Sequence, residues 1–206
     1  MSSSAYSSSI FCNIRSAKVK DLQQLAEVLT SSFYPPLGWR RWVYPILRFG
    51  IYEDLKQRLQ TTQQHYRCLA AIAPDAANHL DQVVGTVEIS CRRYGVLTFH
   101  QPQQVYLSNL AVRQDCRRRG VARRLLAASE QQALDWGFRE LYLHVMANNK
   151  SARQLYHHMG YQVQQAETTV LSLLNAQPQR LLLKKELSPR AASSRLHSMP
   201  SQTLPS

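Results

Sequence analysis

A strand, a long amphipathic helix and a second strand follow one another between residues 105 and 146. Residues 105–112 are rich in β-branched and apolar side chains, and residues 139–146 alternate apolar with polar ones. From Val121 to Trp136, small or apolar side chains recur at helical spacing, and Gly137 is a natural helix stop. A strand–helix–strand unit of this length is typical of a crossover between parallel strands. We therefore predict that the two strands run parallel in one sheet.

The flanking segments predict that this unit belongs to a single mixed α/β domain with mostly antiparallel neighbours. Three prolines interrupt the aromatic-rich residues 34–50, so the second helix is predicted to begin only at Ile51. Apolar periodicity predicts the remaining elements, which are strands at 11–17, 66–73, 83–93, 161–168 and 180–187 and helices at 22–33, 51–59 and 149–160.

Composition sets the expected domain limits and surroundings. Residues 1–10 are rich in serine and, although they resemble an organelle transit peptide in composition, we interpret them as a short flexible tail. The domain is expected at 11–187, and residues 188–206, which are rich in Ser and Pro, are expected to be disordered. No apolar run approaches the about 18 residues that span a bilayer, so we expect no membrane insertion.

Charge and cysteine content restrict the class of ligand. The chain has 25 Lys and Arg against 13 acidic residues, a formal net charge of +12, so its surface should attract an anion such as nucleic acid, an acidic protein or a polyphosphate cofactor. The four cysteines lie far apart without metal-ligand spacing. We therefore expect no metal site and no disulfide framework, and a reducing, cytoplasmic location.

An arginine-rich turn precedes the predicted crossover helix. The stretch CRRRGVARRLL, residues 116–126, has five arginines around Gly120 and fits neither the dinucleotide fingerprint nor the Lys-containing phosphate loop. The first N–H groups of a helix have no intrahelical partner, and the helix dipole favours an anion there. Gly120 lacks a Cβ and Ala122 is small, so phosphate oxygens could approach the backbone. The turn therefore predicts a pyrophosphate site, with a solvated helix start as the alternative.

These motifs together resemble the GNAT superfamily of acetyl-CoA-dependent N-acetyltransferases. Residues 105–161 contain, in the family's order, a strand ending in Leu-Ala-Val, an R-x-x-G-x-A turn, a long helix, a strand, and an N-x-x-A-x-x-L-Y helix followed by Gly-Tyr. Weaker similarity extends over residues 11–187. The resemblance implies one GNAT-like α/β (α+β) domain, in which a central parallel strand pair is splayed around the cofactor and helices cover both faces.

The resemblance also implies which residues bind acetyl-CoA. The backbone of residues 110–112 would pair with the pantetheine arm, because its amides can mimic a neighbouring strand. Residues 118–123 would hold the pyrophosphate, Arg117 would add charge, and Asn149 would contact the cofactor near its helix start. The expected cofactor-binding set is Leu110, Ala111, Val112, Arg117, Arg118, Arg119, Gly120, Val121, Ala122, Arg123 and Asn149.

Acyl transfer from a thioester to an amine needs a proton acceptor and a proton donor. The resemblance assigns the donor to Tyr156, although that residue also fits the apolar face of its helix. His144 and Glu88 are the alternative bases: His144 alternates with apolar residues on its strand, at a position where several relatives carry glutamate, and Glu88 lies between Val87 and Ile89. A water chain, which Ser108 and Asn109 could position, remains a third possibility.

The acceptor is less constrained than the cofactor. The chain is similar to cyanobacterial and plastid-type members, which implies acetylation of protein lysines, protein N-termini or both. Two alternatives stay open: a small-amine acetyltransferase, and a basic nucleic-acid-binding module without catalysis, although clustering of the arginines at one turn argues against nucleic acid. The aromatic segment 34–58, with Trp39, Trp42, Tyr44, Phe49 and Tyr52, would border the acceptor groove or simply cover the sheet.

Overall fold

A computed structural model of the chain describes residues 11–34, 38, 40–61, 63–74, 81–92, 103–167 and 178–188. The predicted N-terminal tail, and the predicted C-terminal tail after Ser188, lie outside these residues. Within the described ranges, no helix is both long and apolar enough to cross a membrane.

Seven strands form one mixed sheet whose spatial order is β1-β2-β3-β4-β5-β7-β6. The parallel pair predicted from the crossover is confirmed, because Val105–Leu107 of β4 pairs in parallel with Leu141–Leu143 of β5. The other five pairings in the described sheet are antiparallel. The strands are β1 Asn13–Ser16, β2 Tyr66–Pro74, β3 Asp81–Arg92, β4 Gln104–Val112, β5 Glu140–Met146, β6 Gln162–Glu167 and β7 Arg180–Glu186.

Helices cover both faces of this sheet, as predicted for the α/β class. They are α1 Leu22–Phe33, α2 Arg40–Gln60, α3 Val121–Asp135 and α4 Lys150–His158. Apolar residues of α3 and α4 pack with Val87, Leu107 and Leu143 on one face. Apolar residues of α1 and α2 pack with Cys68, Ala70 and other side chains on the opposite face. Side chains that alternate along one strand therefore belong to two separate cores.

The predicted interruption at Pro45 is wrong, because α2 runs without a break from Arg40 to Gln60. Proline removes one helical N–H and crowds the preceding turn, which normally bends or ends a helix. Pro45 is near the start of α2, so the loss falls close to an end that already lacks partners. Packing against α1 compensates, since Leu55 is fully buried in that core and the Tyr44 hydroxyl donates to Glu27 at 2.7 Å.

A bulge in β4 shifts the register of its pairing with β3 by one residue. Glu88 lies opposite Ser108 and Thr86 lies opposite Ala111, so Asn109 and Leu110 together face Val87. Asn109 has a left-handed backbone with φ of 54°. The parallel pairing with β5 extends to Leu107 and Leu143 within the described strands, and the bulge begins two residues after Leu107. The two strands thus part immediately before the bulge.

Candidate active site

The gap between β4 and β5, beyond Leu107 and Leu143, is here named the cofactor cleft. Three of the predicted cofactor-binding residues lie on the β4 side of this cleft: Leu110, which is the second residue of the bulge, and Ala111 and Val112, which follow it. Their backbone pairs with β3 on one side, where Ala111 faces Thr86 and Val112 faces Gly85. Their other edge faces the cleft. An extended ligand with amide groups could pair with that edge.

The arginine turn lies where β4 ends and α3 begins. Gly120 is the residue before the first turn of α3 and has φ of 83°, and Arg118 is also left-handed with φ of 63°. A Cβ added to Gly120 would meet no atom within 4 Å, so it would point into open space. The first N–H groups of α3 belong to Val121, Ala122 and Arg123, which have no carbonyl four residues earlier within the helix. Hydrogen-bond donors of the helix start and open space beside Gly120 thus lie together at this turn.

Gly85 brings the start of α3 close to the sheet. A Cβ at this position would lie 3.0 Å from the Ala111 carbonyl oxygen and 3.1 Å from side chains of Val121 and Leu125. Contacts this short are unusually tight, so the helix or the strand would have to move slightly to admit a side chain. The missing side chain therefore allows the helix start and the end of β4 to lie side by side.

The arginines of the turn divide into two groups. Arg113 donates to both oxygens of Asp115, at 2.7 and 2.9 Å, and to Gln82 at 2.6 Å, whereas Arg124 donates to the Cys12 carbonyl at 3.3 Å. Arg117 donates through Nε to the Val112 carbonyl at 3.0 Å. The remaining three, Arg118, Arg119 and Arg123, are exposed around the start of α3. Sequence alone did not show that Arg113, Arg117 and Arg124 hydrogen-bond to other parts of the protein.

Asn149 and Tyr156 lie at the two ends of α4. The Asn149 side-chain oxygen accepts from the Ala152 N–H at 3.1 Å and so caps the helix. Tyr156 is 8% exposed and packs edge-to-face on Tyr161, with ring centroids 5.8 Å apart. Burial raises the pKa of Tyr156 to about 12. The phenol therefore keeps its proton throughout the neutral range, as a proton donor must.

Glu88 occupies a buried site on the sheet face that α1 and α2 cover. The residue is 1% exposed, and Arg58 of α2 donates to its Oε2 at 2.6 Å. The Tyr66 hydroxyl donates to the same oxygen at 3.1 Å, and the Asn109 amide donates to Oε1 at 2.8 Å. Arg58 also pairs with Asp54. Both carboxylate oxygens are hydrogen-bonded within the protein, so this environment suits a fixed ion pair better than a general base in contact with substrate.

The surroundings of Glu88 also affect a neighbouring thiol. Burial, followed by the negative charge of Glu88, raises the pKa of Cys68 to about 12. The same two causes, in the same order, raise the pKa of Tyr66. Since the thiolate is the reactive form of cysteine, Cys68 is a packing residue and not a nucleophile.

His144 lies on the same sheet face as Glu88, one residue beyond the last pair of β5 with β4. Its Nε2 is 2.8 Å from Oε1 of Glu167 at the end of β6, and its ring stacks on Tyr106 with centroids 5.8 Å apart. A carboxylate can only accept, so Nε2 carries the proton and Nδ1 of the neutral ring has a lone pair. The alternation predicted for β5 is confirmed, because Leu141, Leu143 and Val145 are buried on the α3 side.

Three partners in this site were missed from the sequence: Arg58, Tyr66 and Glu167. One signal was available, because Glu88 interrupts a strand of buried apolar residues and a buried carboxylate needs a cation or several donors. That signal indicates that a partner exists but not where it lies along the chain. Glu167 gave no such signal, since it follows an exposed polar strand.

The described aromatic side chains of α2 line a groove beside α1 or face solvent. Tyr44, Phe49 and Tyr52 line an open groove between α1 and α2, with Gln23 and Ala26 on the α1 side. Trp42 is 85% exposed, and Trp39 lies outside the described residues. The described part of the segment thus covers the sheet and also presents aromatic surface to solvent.

Comparison with protein families decides the family. The Acetyltransferase (GNAT) family matches residues 23–161, which include β2 to β5, the arginine turn and α4. The chain belongs to the GNAT family. Its fold is therefore the GNAT fold, and the resemblance drawn from the arginine turn and the Asn149–Tyr161 motif is confirmed. GNAT enzymes are acetyl-CoA-dependent transferases.

Curated relatives of this GNAT chain come from plants as well as bacteria. It is 36% identical over 80 residues to GCN5-related N-acetyltransferase 7, chloroplastic, of Arabidopsis thaliana, covering 39% of this chain and 29% of that protein. It is 29% identical over 178 residues to GCN5-related N-acetyltransferase 4, chloroplastic, of the same plant, covering 72% of this chain and 60% of that protein. The chain thus spans between 29% and 60% of the length of these two relatives.

Solved structures share the fold over nearly the whole of their chains. The PaiA N-acetyltransferase of Thermoplasma acidophilum in complex with coenzyme A is 18% identical with a TM-score of 0.63, covering 86% of this chain and 99% of that one. A chain of the NatC complex bound to Gag peptide and CoA is 14% identical with a TM-score of 0.61, covering 87% of this chain and 100% of that one. At these identities the likeness concerns the fold alone.

Proposed function

We propose that this GNAT chain transfers an acetyl group from acetyl-CoA to a protein amine, either a lysine side chain or an N-terminal α-amine. The observation that carries the proposal is the parting of β4 and β5 directly beside three features. These are the β4 edge at residues 110–112, the start of α3 at Gly120, and the His144–Glu167 pair. Together they supply a cleft, an anion site and a proton acceptor.

The cleft fits the chemistry of acetyl-CoA. Its pantetheine arm contains amides that can pair with the edge of residues 110–112. Its pyrophosphate suits the N–H groups of Val121 and Ala122, next to the open space at Gly120. The exposed Arg118, Arg119 and Arg123 add positive charge, and Arg117 lies beside Val112. Asn149 would reach the cofactor from the start of α4.

Acetyl-CoA supplies the thioester carbonyl that the acceptor amine attacks. A lysine amine with an ordinary pKa near ~10.4 is almost wholly protonated at pH 7, so it needs a proton acceptor. His144 takes that proton on Nδ1, while the Glu167 carboxylate holds Nε2–H and stabilises the imidazolium that results. Glu88 does not serve this step, because its oxygens are held by Arg58, Tyr66 and Asn109.

Two further groups of the chain complete the chemistry. The backbone N–H of Leu110, the second residue of the bulge, donates a hydrogen bond to the carbonyl oxygen of the thioester as its negative charge grows. The Tyr156 hydroxyl, which its raised pKa keeps protonated, gives its proton to the departing sulfur. The second proton, which the nitrogen loses as the amide forms, passes to solvent, and solvent restores the phenol.

The fold is compatible with a protein acceptor, because the NatC chain of the same fold was solved with a peptide as well as CoA. The face around His144 suits such an acceptor, because Met146 is exposed and the pair is formed by β5 and β6 at the open end of the sheet. A small amine needs no such open surface and would be better served by an enclosed pocket.

Mass spectrometry of acetylated products tests this function directly. The full chain is incubated with acetyl-CoA and three acceptors: a lysine-free peptide with a free N-terminus, an N-terminally blocked peptide with one lysine, and an arylalkylamine. Acetylation of at least one peptide with release of CoA is the expected result. Acetylation of the arylalkylamine alone would replace the protein acceptor with a small amine, and no product from any acceptor would contradict the proposal.

The cytoplasmic location expected from the cysteines stays a prediction. The names of two plant relatives place those proteins in the chloroplast. Imaging of the tagged full-length protein in its own cells distinguishes a cytoplasmic from an organellar location.

A further inference from the structure

We propose that Glu88 is a positioning residue that holds Asn109 in the left-handed conformation of the β4 bulge and thereby fixes the cofactor cleft. The inference rests on the proposed function, because it explains how the β4 edge comes to face acetyl-CoA. It assigns Glu88 a role different from that of a base, and it gives Arg58 and Tyr66 a function.

The bulge places Asn109 in a left-handed backbone conformation, which is unusual within a strand. A left-handed φ is uncommon for a residue other than glycine, and asparagine is among the residues that tolerate it best. At Asn109 the φ is 54°, and the side-chain amide donates to Glu88 Oε1 at 2.8 Å. This hydrogen bond is made to a charged acceptor, so it is stronger than one between neutral groups.

Glu88 can hold Asn109 because its own position is fixed from the other side. Arg58 and Tyr66 both donate to Oε2, which leaves Oε1 to the Asn109 amide. The carboxylate is 1% exposed, so water does not compete for these bonds. Since Glu88 itself sits opposite Ser108 in the β3–β4 pairing, the hydrogen bond to Asn109 spans the irregular part of that pairing.

The backbone conformation of Asn109 also determines how the residues on either side of it are oriented. Ser108 follows the last β4 residue that pairs with β5, and Leu110 begins the edge that faces the cofactor cleft. If residue 109 returned to an extended conformation, the side chains after it would exchange faces and the backbone N–H of Leu110 would turn away. Glu88 therefore acts on the reaction through Asn109 and not by contact with substrate.

A reversal of the hydrogen-bond polarity tests this role. Asn109→Asp places a second carboxylate against Glu88, and we expect CoA affinity and kcat/KM to fall by about a hundredfold, the effect of a small misplacement in an active site. Adding Glu88→Gln restores a hydrogen bond in the opposite direction, because the new amide can donate to the carboxylate introduced at position 109 while its oxygen accepts from Arg58 and Tyr66. The double variant should recover most of the lost affinity.

The matched control is Asn13→Asp, the same chemical change at an exposed site on β1. Isothermal titration of CoA, the melting temperature and kcat/KM are measured for every variant. Failure of the double variant to regain CoA affinity, or wild-type affinity in Asn109→Asp, would overturn the positioning role. Because CoA binding is read separately, an absence of acetyl transfer in the wild-type chain would refute the proposed function without deciding this point.

The single variant Glu88→Gln is a second test of the positioning role if Asn109→Asp does not fold. The Asn109 amide can rotate and accept from the new amide, so we expect a loss within about tenfold and an acid limb of the pH profile like that of the wild type. A base at Glu88 predicts the opposite: loss of that limb and a fall in kcat of at least about a hundredfold. That result would overturn the proposal.

Discussion

The cofactor cleft and the acceptor face are built in different ways. Between Leu110 and Arg123, one continuous stretch of chain forms the edge, the turn and the helix start of the cofactor cleft. The proposed acceptor face is defined here as the site formed by Arg58, Glu88, His144 and Glu167, which come from four separate elements. A continuous stretch can be recognised from local sequence, whereas a set of distant residues needs the tertiary fold. The difference also predicts distinct effects of mutation on cofactor binding and on proton transfer.

The largest expected effect is the loss of CoA affinity when the start of α3 is changed, and a matched control distinguishes this loss from the effect of backbone strain. Gly120→Glu would place a carboxylate beside the proposed pyrophosphate site, where like charges about 4 Å apart repel by about 4 kcal/mol at an effective dielectric constant near 20. CoA affinity should fall by roughly a thousandfold, measured by isothermal titration.

Gly137→Glu is the matched control for this variant. Gly137 has φ of 87° and, like Gly120, no atom within 4 Å of an added Cβ, but it follows the opposite end of α3. Both variants carry the same backbone strain, so only Gly120→Glu should lose CoA. Equal losses would mean that the start of α3 is not the phosphate site.

The second effect concerns proton transfer on the acceptor face. His144→Gln should lower kcat by about a hundredfold for a lysine acceptor, with CoA affinity retained, because the proton acceptor is lost. The decline of kcat/KM toward acid pH that accompanies general-base catalysis should change in this variant. An N-terminal α-amine has an ordinary pKa near ~7.8 and should depend less on His144. A wild-type pH profile in the variant would leave a water chain as the proton acceptor.

Much of the fold was predictable because each element has a local pattern. The parallel strands were evident from the crossover, and the two cores follow from alternation along β3 and β5. The prediction at Pro45 was wrong because the loss of one helical hydrogen bond there is offset by packing of α2 on α1, which is a tertiary effect. For the same reason Glu88 could be recognised as a candidate, but its partners Arg58 and Tyr66 could not.

A third, smaller effect is expected at the leaving group. Tyr156→Phe removes the proposed proton donor, but a thiolate with an ordinary pKa near ~8.5 leaves readily without full protonation. We therefore expect kcat to fall by only about tenfold, with unchanged CoA affinity. Since burial raises the pKa of Tyr156 to about 12, the loss should be constant between about pH 7 and pH 9. An undiminished kcat would leave Tyr156 as a core residue.

The smallest effect tests whether the exposed part of α2 belongs to the acceptor face at all. Trp42 is 85% exposed, so its replacement by Ala leaves no cavity and changes only what a bound peptide could touch. If this ring borders the peptide, Trp42→Ala should raise the peptide KM by about threefold, a typical loss for a contact at the rim of an interface, with CoA KM unchanged. Phe11→Ala is the matched control, because Phe11 is 80% exposed beside β1, at the edge of the sheet away from β5. Equal peptide KM values in the two variants would confine peptide recognition to the strands around His144 and exclude the exposed part of α2 from the acceptor face.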